Sequence, residues 1–185
     1  MNTDPRAPAS YDARTILLHW LTALLVVAQW LGAHAIDWFP RGPLRVDMRS
    51  VHIVLGVVLV GLLIWRLAWR STGGRKLPPA SPGVLGLAAS LVHGLLYGLL
   101  LVIVGLGLLN VWVRGDSLFG LVQVPALGLG GKALKGQVDH LHALAANAIL
   151  ILAGLHAAAA LWHHYVRKDG LLGRLIPALR GSPSS

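Results

Sequence analysis

The chain has 185 residues, of which 55% are hydrophobic and only 12% are charged, and its mean hydropathy is +0.66. This composition indicates a single-domain membrane protein rather than a soluble one. Cysteine is absent, which excludes disulfides, thiolate metal sites, iron–sulfur clusters and covalent haem attachment through CxxCH. The formal net charge of +9 does not indicate nucleic-acid binding, because the basic residues lie between apolar runs.

Four apolar segments follow one another along the chain, and each reaches the roughly 20 residues with which a helix spans a bilayer. They cover approximately residues 15–36, 50–69, 84–113 and 140–165. We therefore predict an all-α fold, an integral membrane four-helix bundle that forms one domain over residues 1–185. Flexible polar tails are expected at residues 1–10 and 176–185.

The first segment, TILLHWLTALLVVAQWLGAHAI, ends in a sequence that resembles a signal-peptidase site, Ala33-His34-Ala35. The apolar run is long for a signal peptide and contains the polar residues His19 and Gln29. Two acidic residues, Asp4 and Asp12, also precede it. We expect this segment to be retained as a transmembrane helix.

The basic residues predict the orientation of the bundle. Of the 16 Lys and Arg residues, ten lie in the N-terminal region, the connector between the second and third segments, and the C-terminal tail. The other two connectors hold the remaining six, against four acids, so the positive-inside rule places both termini in the cytoplasm. The residual positive charge of the outer connectors favours the approach of an anionic substrate or partner.

Histidines are the main candidate ligands, since the chain has nine of them and only seven carboxylates. His52 and His142 lie just inside the outer ends of their segments. His156 follows His142 by fourteen residues, which on a helix is roughly 21 Å deeper and about 40° away in angle. His19 lies fifteen residues from His34, or roughly 22 Å from the outer level of the first segment.

These depths predict two pairs of facing imidazoles, His52 with His142 at an outer level and His19 with His156 at an inner level. Paired imidazoles in a bundle core suit bis-histidine b-type haem, and two haems about 20 Å apart would connect most of a ~30 Å hydrocarbon core. Small residues near His52 and His156 leave space for a macrocycle, although close helix packing alone would explain the glycines. His163 is a weaker inner ligand, because it lies roughly 31 Å from His142.

The other histidines have open interpretations. We expect His34 to be an interfacial anchor. His93 could ligate, donate to a haem propionate, line a quinone pocket, or make an interhelical hydrogen bond. His163 and His164, beside Lys168, are either interfacial anchors or donors of protons and hydrogen bonds to a quinone.

Several motifs together resemble the bacterial dihaem cytochrome b561 family, and within it the superoxide oxidases. They are His19-Trp20 in the first segment, His52 with Gly56 in the second, His93 with Tyr97 in the third, and Leu141-His142 with GLHAAAALWHHYVRKDG in the fourth. The resemblance extends from about Tyr11 to Leu175. It implies a multi-pass protein of the bacterial inner membrane with two non-covalent b haems, ligated by the same four histidines that depth selects.

The resemblance also implies an oxidoreductase that oxidises superoxide at the periplasmic side and passes electrons through the haems to ubiquinone. Six-coordinate iron has no open position, so superoxide would react near the haem edge. Basic residues of the outer connectors are candidates to attract it: Arg45, Arg49, Lys132 and Lys135. His93, His163, His164 and Lys168 are candidate contacts of quinone or haem propionate.

Two other functions remain open from the sequence. The chain could be a haem b electron-transfer subunit that serves a periplasmic redox partner and has no substrate chemistry of its own. It could also be a haem-free transporter or assembly factor whose histidines relay protons.

Overall fold

The computed structural model describes residues 10–78, 83–128 and 131–179. Four long helices occur in chain order: α1 (Ala13–Ile36), α2 (Pro43–Thr72), α3 (Gly83–Arg114) and α4 (Gly131–Trp162). All four are long and apolar enough to cross a membrane. This confirms the predicted all-α four-helix membrane bundle.

Two helices begin earlier than the apolar segments indicated. The second begins at Pro43 instead of residue 50, and the fourth begins at Gly131 instead of residue 140. Hydropathy detects only the part of a helix that lies in lipid, whereas these first turns carry Arg, Lys and Asp side chains. Pro43 stands at the first helical position, where its missing N–H costs nothing.

Asp12 ties the start of α1 to the end of α2. Its carboxylate accepts hydrogen bonds from the Thr15 N–H (2.9 Å), the Trp69 indole (3.0 Å) and the Arg75 N–H (3.0 Å). Burial alone would raise the pKa of Asp12, but the hydrogen bonds from Thr15, Arg75 and Trp69 outweigh it and hold the pKa well below its usual value. These two helix ends, which lie at the end of the bundle predicted to face the cytoplasm (the inner end), are thereby fixed to each other.

The helices pack mainly as two pairs, α1 on α2 and α3 on α4, with fewer contacts between the pairs. A small buried cluster of Leu59, Leu63, Leu100 and Ile149 joins α2, α3 and α4 near mid-depth. Most other large apolar side chains point outward, as expected for helices that face lipid. The histidines lie above and below this central cluster.

A short hairpin covers the outer end between α3 and α4. Its strands β1 (Ser117–Leu118) and β2 (Val122–Gln123) pair in antiparallel register, Ser117 with Gln123. The fully buried Ser50 hydroxyl accepts a hydrogen bond from the Phe119 N–H (2.8 Å) and donates to the Val46 carbonyl (2.8 Å). The hairpin is therefore anchored on α2, two residues before His52.

At the inner end, α4 continues as a π-helical turn, His163–Arg167, followed by 3₁₀ turns at Leu172–Arg174 and Pro177–Leu179. Lys168 ends the π turn in the left-handed conformation. The turn at Pro177–Leu179 falls within the segment that we predicted to be a flexible tail. The rest of that tail, residues 180–185, and residues 1–9 lie outside the described residues.

Candidate functional site

The outer pair, His52 on α2 and His142 on α4, face each other across the bundle. Their ring centres are 6.3 Å apart and their planes are 83° apart. Metal–nitrogen bonds of about 2.0 Å, with about 1.2 Å from each nitrogen to its ring centre, would place two imidazoles ~6.4 Å apart on opposite sides of one metal. The spacing of the outer pair therefore suits a single metal held between the rings.

Neighbouring helices lie close to both histidines. The Gln29 amide on α1 donates a 2.9 Å hydrogen bond to the His52 carbonyl, and the backbones of Gln29 and Ile103 lie within interaction range of the His52 and His142 rings, respectively. The Nδ1 atoms of both rings are buried and have no hydrogen bond of good geometry among the described residues. Ligating histidines commonly direct Nδ1–H at a backbone carbonyl, and both rings have backbone within reach for this.

Two facing imidazoles fit haem b better than a bare metal ion. No group of three or more His or Asp side chains in the described ranges is arranged to hold a metal ion. A macrocycle supplies the remaining ligands itself and needs only the two axial nitrogens from the protein. His52 and His142 would provide these, on helices that belong to different packed pairs.

Charged side chains surround the outer pair. Arg114 lies within electrostatic range of both rings and pairs with Asp139 (3.0 Å) and Asp116 (3.4 Å). Arg49 reaches Asp116 from α2 (3.5 Å), and the Asn110 amide donates to Asp139 (2.8 Å). This ion-pair network joins α2, α3 and α4 directly above the outer pair.

The four basic residues predicted to attract an anion have different environments. Arg45 is paired with Asp37, and Arg49 is paired with Asp116. Lys132 and Lys135 are exposed on the first two turns of α4 and have no ion pair with any described residue. Arg41, which the sequence did not single out, lines one cleft with Arg45 and Arg49.

An inner cluster forms from His19 on α1, His93 on α3 and His156 on α4. The His93 and His156 rings are in contact, with centres 5.2 Å apart, and both histidines lie within electrostatic range of His19. A separation of 5.2 Å is shorter than the ~6.4 Å needed on opposite sides of one metal, so these two rings do not share an iron in this arrangement. His19, the predicted partner of His156, lies in the same cluster.

Arg66 on α2 reaches into the inner cluster. Its Nε donates to the Tyr97 hydroxyl (3.0 Å), and its Nη2 lies 3.2 Å from His19 Nδ1. The guanidinium carbon also lies 5.3 Å from the centre of the Tyr97 ring. Arg66 is thus in direct contact with His19, a predicted haem-ligating residue.

The candidate quinone contacts separate into two groups. His163 Nδ1 lies 2.5 Å from an Asp169 carboxylate oxygen, whereas His164 and Lys168 line an inner cleft with Tyr165, Gly170 and Leu179. Burial alone would raise the pKa of Asp169, but the hydrogen bonds from His163 and the Leu171 N–H, together with the charges of His163 and Arg167, bring the pKa below its usual value.

His34 lies apart from both histidine groups. Its ring stacks against Trp30 (4.1 Å between centres) and its Nδ1 contacts the Trp30 carbonyl, 2.9 Å away. The side chain is exposed on the outer part of α1. An interfacial anchor remains our interpretation of this residue.

Sequence reasoning missed the roles of Arg66, Arg114 and Asp169. Arg66 carried a usable signal, because a charged residue within an apolar segment is costly and usually functional. Asp169 gave none, since its contact with His163 depends on the π-helical turn. Arg114 is placed by the tertiary arrangement of three helices.

Comparison with known proteins gives matches over most of the chain. The family model of prokaryotic cytochrome b561 matches residues 10–178. The chain is 33% identical to the probable superoxide oxidase CybB of Yersinia pestis over 92% of this chain and 98% of that protein. It is 31% identical to cytochrome b561 homolog 1 of Escherichia coli (90% and 97% covered) and 32% identical to cytochrome b562 of Cereibacter sphaeroides (90% and 94% covered).

These matches span nearly the whole chain, including all four helices and both histidine levels. Haem b is thus the expected cofactor of the facing imidazoles. The chain belongs to the prokaryotic cytochrome b561 family, multi-pass proteins of the bacterial inner membrane that transfer electrons through haem b.

Proposed function

We propose that this chain oxidises superoxide at its outer, periplasmic end and passes electrons through two haem b groups to ubiquinone at its inner end, with both termini in the cytoplasm. The observation that carries the proposal is an arginine-lined cleft next to the outer pair. The similarity to the Yersinia pestis protein, a probable superoxide oxidase, supports the same activity.

The outer cleft suits a small anion. Arg41, Arg45 and Arg49 line it. Arg45 and Arg49 are four residues apart on α2 and so lie on one face of the helix, and Arg41 lies just before the helix begins. Arg49 is three residues, or one turn, from His52. An anion drawn into this cleft is brought to the outer pair.

The histidines then determine where electrons enter and leave. His52 with His142 would hold one haem, and His19 with His156 the other; haem b supplies one-electron chemistry when it is bound. Because two histidines would hold each haem, superoxide would give up its electron without binding the metal. Each superoxide loses one electron and leaves as dioxygen.

The inner cleft suits the electron acceptor. His164, Tyr165 and Lys168 present N–H and O–H donors that can hydrogen-bond to the carbonyl oxygens of a quinone. Two electrons and two protons convert ubiquinone to ubiquinol, and the contact between His163 and Asp169 lies next to this cleft in the sequence.

The test uses the purified protein alone, with its absorption spectrum and haem-to-protein ratio recorded. We expect two b haems per chain that are reduced by a superoxide-generating system and reoxidised by a ubiquinone analogue. Haems that are not reduced by superoxide would indicate an electron-transfer subunit that serves a periplasmic redox protein. A chain without haem would contradict the histidine pairs.

A matched pair of variants tests the outer cleft. Arg41 has no ion pair with a described residue, so Arg41→Gln removes an unneutralised cation from the cleft. Electrostatic steering changes association rates by about 10- to 1000-fold in total, so we expect a several-fold slower reaction with superoxide and a weaker dependence on ionic strength. Arg14→Gln, the same charge change at the inner end, should leave the rate unchanged.

A further inference from the structure

Arg66 is a cation in an unusual place. It lies six residues before the end of α2, which is roughly 9 Å from the inner end of that helix. An ionised side chain at this depth is costly unless it finds a partner. The partners it does have are therefore informative.

None of those partners carries negative charge. The contacts of Arg66 are the Tyr97 hydroxyl, the Tyr97 ring and His19 Nδ1, and no carboxylate in the described part of the chain pairs with it. The described acids of the inner end are committed elsewhere, Asp12 to the α1–α2 junction and Asp169 to His163. A guanidinium has five N–H donors, so most of the hydrogen-bonding capacity of Arg66 is still available.

The contact between Arg66 and His19 is incompatible with the His19 tautomer that carries its proton on Nδ1. Arg66 can only donate, so Nδ1 of His19 must accept with its lone pair. An imidazole that ligates through Nε2 carries its proton on Nδ1 and cannot accept there. When His19 ligates through Nε2, Arg66 must turn its N–H groups to another acceptor.

We propose that Arg66, with the Tyr97 hydroxyl beside it, is a carboxylate-binding site that takes a propionate of the inner haem. A planar guanidinium binds a carboxylate through two parallel N–H bonds, and such pairs are strongest away from water. Binding of the propionate by Arg66 would thereby accompany the loss of the contact between Arg66 and His19 Nδ1. This inference rests on the inner haem site proposed above, but not on superoxide or ubiquinone.

The test compares haem b with its dimethyl ester, in which both carboxylates are blocked. The full chain is produced without haem, placed in phosphatidylcholine nanodiscs in a His142→Ala background, and titrated while the Soret band is followed. We expect the parent chain to bind the ester at least tenfold more weakly than haem b. Arg66→Gln should bind both forms equally.

Arg70→Gln is the matched control, since Arg70 lies one turn further along α2 and contacts neither His19 nor Tyr97. It should retain the tenfold discrimination. Equal binding of both haems by the parent chain would overturn the inference, and so would discrimination that persists in Arg66→Gln. If discrimination is absent and anionic lipid alters haem binding only when Arg66 is present, a lipid phosphate is the anion and the inference is wrong.

Redox titration of the haem-loaded protein is a second measurement that does not require a folded haem-free chain. Loss of the cation should stabilise oxidised haem relative to reduced haem. A tenfold change in that equilibrium constant lowers the midpoint potential of a one-electron couple by about 59 mV. Arg66→Lys should shift less than Arg66→Gln, and an unchanged potential in both would contradict the inference. A parent chain without an inner haem would contradict the proposed site itself, whereas full loading without discrimination contradicts only the role of Arg66.

Discussion

Gly107 on α3 leaves the space that the His142 ring occupies. A Cβ atom at this position would lie 3.1 Å from His142 Cε1 and 3.7 Å from Nδ1. Carbon atoms pack best at about 3.5–4.0 Å, so Gly107→Ala forces the ring to move by a few tenths of an ångström. Gly107→Val places two further methyl groups in the same space and forces a larger movement.

The displaced ring should bind its ligand less well. Overpacking costs about 1–3 kcal/mol, which corresponds to a roughly 5- to 150-fold weaker affinity of the outer site for haem. We expect Gly107→Val to lower the haem-to-protein ratio and to change the redox titration of the outer haem. The measurement is haem content per chain together with the midpoint potentials.

Gly105→Val is the control, because a Cβ at Gly105 meets nothing within 4 Å. Both substitutions replace a helical glycine by valine, so the intrinsic helix preference changes equally in the two variants. If both proteins keep the same haem content and the same potentials, the packing of Gly107 against His142 is irrelevant to the outer site. The proposed ligand role of His142 would then lose its structural support.

Three further substitutions test the contacts that hold the bundle together. Asp12→Ala should lower the free energy of unfolding by about 1–2 kcal/mol, which would appear as a lower unfolding temperature. Because the pKa of Asp12 is lower in the folded than in the unfolded protein, Asp12 stabilises the fold above its unfolded pKa, and this stabilisation is lost as the pH falls below about 4. Ser50→Ala should leave the Phe119 N–H without its acceptor, at a cost of about 1–3 kcal/mol, and speed hydrogen exchange at that amide. Asn147→Leu removes the acceptor of the Trp30 indole (2.9 Å) and should destabilise the α1–α4 contact by about 0.6 kcal/mol in chemical unfolding.

Matched comparisons make these outcomes decisive. Ser71→Ala removes an exposed serine that donates only to carbonyls of its own helix, so it should leave hydrogen exchange in the hairpin unchanged. If it speeds exchange as much as Ser50→Ala, the anchoring role of Ser50 is wrong. For Asp12, a wild-type stability that falls no more steeply than that of Asp12→Ala between pH 5 and 3 would contradict the assigned hydrogen bonds.

The membrane made much of this architecture predictable. Only a helix satisfies its own backbone in lipid, so apolar length alone indicated four helices. Along a straight helix the residue number also measures depth, which is why His52 and His142 could be assigned to one level. The structure brings the rings of these two residues to 6.3 Å.

Lateral relations were not predictable in the same way. Depth along α2 does not show that Arg66 faces α1 and α3, where it meets His19 and Tyr97. The π-helical turn also changes the rotation of the chain after Trp162, so the contact of His163 with Asp169 could not follow from a regular helix. Polar helical turns beyond the lipid likewise give no hydropathy signal.

The two ends of the bundle treat cations differently, and the difference matches the ligands proposed for them. At the outer end Arg45, Arg49 and Arg114 are all paired with aspartates next to water, so an arriving anion meets partly neutralised, screened charge and can leave again. At the inner end Arg66 has no carboxylate partner among the described residues and lies within the span. A cation in this environment attracts an anion strongly, so Arg66 suits a permanently bound carboxylate. The outer cleft instead suits a substrate that binds and leaves.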